Sequence, residues 1–180
     1  ANLRAGLLPP FSGSFANPFK HSNGSWIRTE IWACIAPGVP QRAVRYARED
    51  SVIDHGDGEG TLAAIFCASL ESAACVFSDI HTPIDIALSY IPENCGVAGA
   101  VRQAITSYEN KMSWQEARNE MLKKFRGATS EEFTSEEDKK QGFMKGTCGW
   151  DAPANIGIII IGLLYGEGDS ERSILITVNC

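Results

Sequence analysis

From Thr61 to Ser78 the chain reads T-L-A-A-I-F-C-A-S-L-E-S-A-A-C-V-F-S, and Glu71 is the only charge in that run. A helix that is apolar nearly all round belongs inside a bundle. Its small residues (Ala63, Ala64, Ala68, Ser69, Ser72, Ala73 and Ala74) let neighbouring helices come close, so it is predicted as the central element. A second apolar run, N-I-G-I-I-I-I-G-L-L-Y, follows Asp151-Ala152-Pro153-Ala154. It runs too far without a turn to be a strand, and reads as another buried helix.

Around these two lie stretches with one apolar face. Trp26 to Ile35 fits an amphipathic helix with Trp26, Ile27, Ile31 and Cys34 or Ile35 as its inward stripe. Pro40 suits the first turn of a helix through Arg48, with Ala43, Val44, Tyr46 and Ala47 inward. Thr82-Pro83-Ile84-Asp85 reads as a capping box opening a helix that ends near Pro92. Val97 to Lys111 repeats apolar residues at helical spacing. Ser113-Trp114-Gln115-Glu116 is a second capping box, followed by a stripe of Trp114, Ala117, Met121 and Phe125 before Gly127. Gly166-Glu167-Gly168-Asp169 leads into a last helix through Val178. Residues 1–25 show no period and read as irregular loop, with Phe11, Phe15 and Phe19 expected to hold it down. Residues 128–152 are polar and acidic, a solvated surface loop. No stretch alternates with period 2. The expected fold is all-α, a single domain over residues 1–180.

Composition narrows the class. The chain has 180 residues, 44% hydrophobic and 21% charged, as in a soluble globular domain. A net charge of −6 and a pI near 5.1 argue against nucleic acid, for want of a basic patch. Ile156 to Tyr165 is too short to span a bilayer, which argues against membrane insertion. Pro9 and Pro10 interrupt the apolar start, so no signal peptide is read. The six cysteines, at 34, 67, 75, 95, 148 and 180, include no C-x-x-C pair. They read as reduced thiols of a cytoplasmic protein, with Cys67 and Cys75 in the buried helix. The chain opens on Ala1 in mid-loop and is expected to be a fragment of a larger domain.

Candidate chemistry gathers ahead of the central helix. The loop S-V-I-D-H-G-D-G-E-G, from Ser51 to Gly60, carries Asp54, His55, Asp57 and Glu59 to the helix start. Acidic residues there suit the positive helix end, and a ligand site is the sharper alternative. Gly56, Gly58 and Gly60 give the turn room. Asn23-Gly24-Ser25 is a glycine turn opening a helix, either an N-cap through Ser25 or an anion site. Arg28 is a structural or a phosphate partner. His55 is either a capping or packing residue or a ligand contact. Glu30 reads as a helix-surface residue.

Several of these stretches together resemble the ADP-ribosylglycohydrolase family. Asn23-Gly24-Ser25-Trp26-Ile27-Arg28 is similar to the family's N-G-x-x-M-R, with isoleucine for methionine. Ala36-Pro37 resembles its following A-P. Asp54-His55 resembles its T-H, with Asp in place of Thr. The run from Asn155 to Cys180 resembles the approach to the family's D-x-D metal loop. The resemblance implies an orthogonal helical bundle that hydrolyses N- or O-glycosidic ADP-ribose linkages with two magnesium ions. It also implies Asn23, Gly24, Ser25, Arg28 and His55 as the substrate-binding residues, toward the diphosphate or a ribose of ADP-ribose or an ADP-ribosylated substrate.

The departures shape the expectation. The family's N-terminal acidic cluster of T-D-D type and its D-x-D loop are not in this chain, which stops at Cys180 where that loop would begin. No catalytic residue and no metal ligand is therefore assigned. The chain alone is expected to be inactive, and Asp54, Asp57 and Glu59 form the only close acidic trio in a loop that suits a ligand. The alternative is a non-catalytic helical binding or structural domain derived from the same fold.

Overall fold

The computed structural model describes residues 2–125 and 150–180. All regular elements among them are helical, as expected. The chain divides into two compact units, Ala1–Cys95 and Gly96–Cys180.

In the first unit a 3-10 turn, Leu3–Ala5, precedes α1 (Phe11–Ser14); a second 3-10 turn, Trp26–Arg28, precedes α2 (Glu30–Cys34). Then come α3 (Pro40–Ser51), α4 (Glu59–Ala74) and α5 (His81–Leu88). The predicted central helix is α4: α2, α3, α5 and the Trp26–Arg28 turn all pack on it. Ala63, Ala64, Phe66, Ala68 and Ala73 are wholly buried. Ala68 meets Ala36, Ala43 and Ala47, with Trp32 against the edge of that cluster. Alanine on both sides is what allows the close approach, and burying Phe66 contributes roughly 1.5–3 kcal/mol. Ser72 ties the helix to the chain ahead of α3. Its hydroxyl donates to the Ala36 carbonyl, and its own carbonyl accepts from Gly38 N at 2.8 Å. The helix is shorter than the apolar run. It ends at Ala74, so Cys75, Val76 and Phe77 are exposed, while Cys67 is buried as expected.

Three expectations for this unit are corrected. Trp26 to Ile35 is not one amphipathic helix, and its inward side is not the isoleucine stripe. Ile27, Ile31 and Ile35 are 58%, 54% and 51% exposed, and Cys34 is exposed too. Ser25, Thr29, Ala33 and Ala36 are buried instead. The surface of α4 is made of small residues, and only small side chains fit where the chain crosses it closely.

The phenylalanines do not hold residues 1–25 down either: Phe11, Phe15 and Phe19 are 69%, 63% and 45% exposed. Polar side chains on backbone carbonyls do that work. Asn2 Nδ2 donates to the carbonyls of Ser12 and Phe15, Asn17 Nδ2 to those of Gly13 and Asp54, and Ser12 Oγ to that of Ile53. Finally, Asp79, one residue ahead of the N-cap Ile80, serves the first turn of α5. Its carboxylate accepts from Thr82 N at 2.7 Å, so the box predicted at Thr82 is not formed.

The second unit comprises α6 (Gly96–Glu109), α7 (Trp114–Phe125), α8 (Ala152–Gly166) and α9 (Ser170–Asn179). The isoleucine-rich run is α8, with Ile156, Ile160 and Ile161 buried, and the other three helices pack on it. Its glycines are contact points. A Cβ on Gly157 would run into Met121, and one on Gly162 or Gly166 into Thr177 or Ser173 of α9. Tyr108 meets Tyr165 edge-on at 5.2 Å. The capping box of α7 is present: Ser113 N donates to Glu116 Oε2 at 2.8 Å and Glu116 N to Ser113 Oγ at 3.3 Å. Asp169 caps α9 through Arg172 N at 2.8 Å. Gly127, Cys148 and nearly all of the acidic stretch 128–152 lie outside the described residues.

Candidate ligand site of the first unit

The loop between α3 and α4 is built by its own backbone. The Ser51 carbonyl accepts from His55 N at 2.9 Å, the His55 carbonyl from Gly58 N at 3.0 Å, and Thr61 Oγ1 donates to the Gly56 carbonyl at 3.0 Å. Gly56 has φ +55°, a conformation glycine adopts without strain. The loop needs glycine chiefly because another segment lies on it. A Cβ on Gly56 would collide with Ser14, and one on Gly58 or Gly60 with backbone of Lys20 or Ser22. The N-terminal stretch is thereby locked to the loop, with Gly60 N on the Lys20 carbonyl and Glu59 N on His21 Nδ1, both at 3.1 Å.

Arg28 is the hub that joins this loop to the Asn23–Ser25 turn. Its Nε donates to Asp50 Oδ2 at 2.7 Å, and its Nη1 to the Gly24 carbonyl at 2.8 Å. Nη1 and Nη2 grip Asp54 bidentately, each at 3.0 Å. Hydrogen bonding to Asp54, ahead of that to Asp50, raises the guanidinium pKa against the cost of burial. Burial alone would push the Asp54 carboxyl up, but hydrogen bonds from Arg28 and His55 outweigh it and hold it below the usual carboxylate range. Asp54 Oδ1 also lies 2.8 Å from His55 Nδ1, and His55 Nε2 lies 3.4 Å from Ser22 Oγ.

The imidazole is buried, at 6% exposure, between two glycines. A Cβ on Gly24 would stand 3.0 Å from its Cε1, and one on Gly60 would strike Cδ2. The sequence-selected residues Gly24, Arg28 and His55 thus fall in one cluster. Asn23 sits at its edge, its side-chain oxygen accepting from Trp26 Nε1 at 3.0 Å. Ser25 is wholly buried and does not act as an N-cap, because its Oγ has no hydrogen-bond partner. The element after the turn is a three-residue 3-10 turn, so no helix dipole backs it.

Asp54, expected in this loop, joins the cluster, whereas Asp50 and Ser22 had not been singled out. The sequence signal for Asp50 is its place four residues before Asp54, with an arginine upstream to take both, and Ser22 has none. Asp54 also borders a cavity of about 330 Å³ with Asn2, Leu3, Ser12, Ala16 and Ile53. A separate cavity in the second unit is lined by Asp151, Asn155, Thr177 and Cys180 among others, and burial pushes the Cys180 thiol up to about 11.

The acids of the loop do not make a metal site. Asp54 is spent on Arg28 and His55. Asp57 accepts from Ser14 Oγ at 2.8 Å and pairs with Lys20 at 3.5 Å. Among the described residues no three His, Cys, Asp or Glu side chains come together to hold a metal ion, so these residues do not fit a magnesium centre.

The family model described as ADP-ribosylglycohydrolase matches residues 1–180. The chain belongs to the ADP-ribosylglycohydrolase family. Its all-α build agrees with that membership, and the N-G-x-x-M-R-like turn and the D-H pair are the two places where Arg28 joins distant stretches of it. Searches of curated proteins and of solved structures found no match. No helix among the described residues is long and apolar enough to cross a membrane.

Proposed function

We propose that this member of the family is a hydrolase of N- or O-glycosidic ADP-ribose linkages that holds ADP-ribose in its first unit. The observation that carries the reading is the single assembly formed by Gly24, Arg28, Asp54 and His55, drawn from two stretches that each resemble a family motif. In this proposal Asn23, Gly24 and His55 meet the ligand, while Ser25, expected there too, is wholly buried and supports the turn. Arg28 contributes by setting the distance between the turn and the loop, since its donors already engage two carboxylates and a carbonyl. A diphosphate at the turn would be held by backbone amides, without dipole support. Charge-assisted hydrogen bonds of that kind contribute roughly 1.5–3 kcal/mol each. The reaction replaces the bond from the anomeric carbon to nitrogen or oxygen by a bond to water oxygen, and the leaving group takes a proton. The two magnesium ions implied by the family resemblance find no fit among the described residues.

Calorimetry of the folded chain with ADP-ribose, and with AMP as comparator, tests the reading. Expected is weak binding that prefers ADP-ribose and falls about tenfold in His55→Ala, equivalent to about 1.4 kcal/mol. No heat from a sample shown folded by circular dichroism would overturn it. Such a result would favour a non-catalytic helical binding or structural domain.

A further inference from the structure

The geometry points to Asp54 as the residue that sets the hydrogen-bonding sense of His55, making Nε2 an acceptor that receives a ligand hydroxyl, as on a ribose, rather than a phosphate oxygen. This rests on the proposed ligand site and deepens it. A carboxylate can only accept, so the 2.8 Å contact between Asp54 Oδ1 and His55 Nδ1 places the ring hydrogen on Nδ1. Asp54 cannot rotate away or take the proton role itself. Both its oxygens are gripped by the Arg28 fork at 3.0 Å, and Arg28 is anchored in turn on Asp50 at 2.7 Å. Gly24 and Gly60 leave the ring the space that a side chain at either position would take.

In the neutral imidazole the lone pair then sits on Nε2. Its neighbour there is the Ser22 hydroxyl, which can donate, and the 3.4 Å separation is long for such a bond. A hydroxyl placed closer would replace it. A phosphate oxygen, having no hydrogen to give, would be repelled by that lone pair as long as the ring is neutral. The Asp-His pair is also where this chain departs from the T-H pattern it resembles, and a threonine hydroxyl would not impose the same tautomer. Asp54 is thus a positioning residue, and His55 the contact it prepares.

Nitrogen-15 spectra of the histidine rings in the full chain test this, with His21 and His81 assigned by substitution. At pH 8 the free wild-type protein is expected to show His55 as the Nδ1–H tautomer, and Asp54→Asn as a mixture. Ribose 5-phosphate is expected to shift the His55 Nε2 resonance, and inorganic pyrophosphate to leave it in place. An Nε2–H tautomer or a persistent imidazolium in the wild type would overturn the inference whatever the variant does. A response to pyrophosphate alone would overturn the hydroxyl assignment. The Nδ1–H tautomer with no response to either ligand would support the role of Asp54 and overturn the ligand reading of the site, which separates the two.

Discussion

At the scale of single residues, Arg28 and Glu71 show how one charged group takes its character from its surroundings. Arg28 reaches stretches 22 and 26 residues downstream through a planar fork. Lysine would keep the charge and lose the bidentate geometry. Arg28→Lys is expected to destabilise the first unit by about 1 kcal/mol, a modest figure because the group and both partners are partly solvated. Urea denaturation with an unchanged midpoint would contradict this.

Glu71 sits on the buried helix α4 with its Oε2 enclosed and without a hydrogen-bond partner. Burial, and then the charge of Glu30, push its pKa from 4.5 to about 7. Glu30 therefore does more than face solvent: it is the second charge on Glu71. The folded state holds this proton more tightly than the unfolded state. Stability should be greatest below pH 4.5 as far as Glu71 is concerned, and decline as pH rises from 4.5 to about 7. A loss of about 1–2 kcal/mol is expected after allowing for partial solvent exposure. Glu71→Gln should flatten the slope in that window, and an unaltered slope would remove Glu71 as its source.

At the scale of elements, the helices of the first unit are sorted by shape as much as by hydrophobicity. Ala68 on α4 is wholly buried against Ala36, Ala43 and Ala47. Ala68→Leu should therefore cost about 1–3 kcal/mol through overpacking. Ile31, on the outward face of α2 and 54% exposed, should by contrast tolerate Ile31→Ser within about 0.5 kcal/mol. Had the isoleucine stripe been the buried face, that substitution would be among the most damaging in the unit. Thermal unfolding of the two variants side by side distinguishes the two arrangements.

At the scale of the whole molecule, the balance of acids matters more than their number. The chain is acidic overall, with net charge −6. Yet the acids of the candidate site are matched by Arg28, Lys20 and hydroxyl donors rather than left to gather around an ion. Magnesium needs hard oxygen ligands free to converge on it. Titration of the full chain is expected to show magnesium binding no tighter than the millimolar range. Two ions bound at micromolar concentration would show that Asp54 and Asp57 leave their partners for a metal.

Read alone, the sequence determined the helical class, the two helices that would be buried and the capping box of α7. All of these depend on residues within a few positions of one another, where a period or a short spacing is the physical signal. It also carried the family, through motifs that survive one substitution each. Tertiary structure decided the rest. Which face of Trp26–Cys34 turns inward was settled by the small-residue surface of α4, which no local period records. The glycines of the 56–60 loop answer to Gly13–Ser22 lying across them. Arg28 finds Asp50 and Asp54 only because α3 brings them back beside the Asn23–Ser25 turn. Partners so far apart along the chain leave no spacing to read, and their pairing is set by packing.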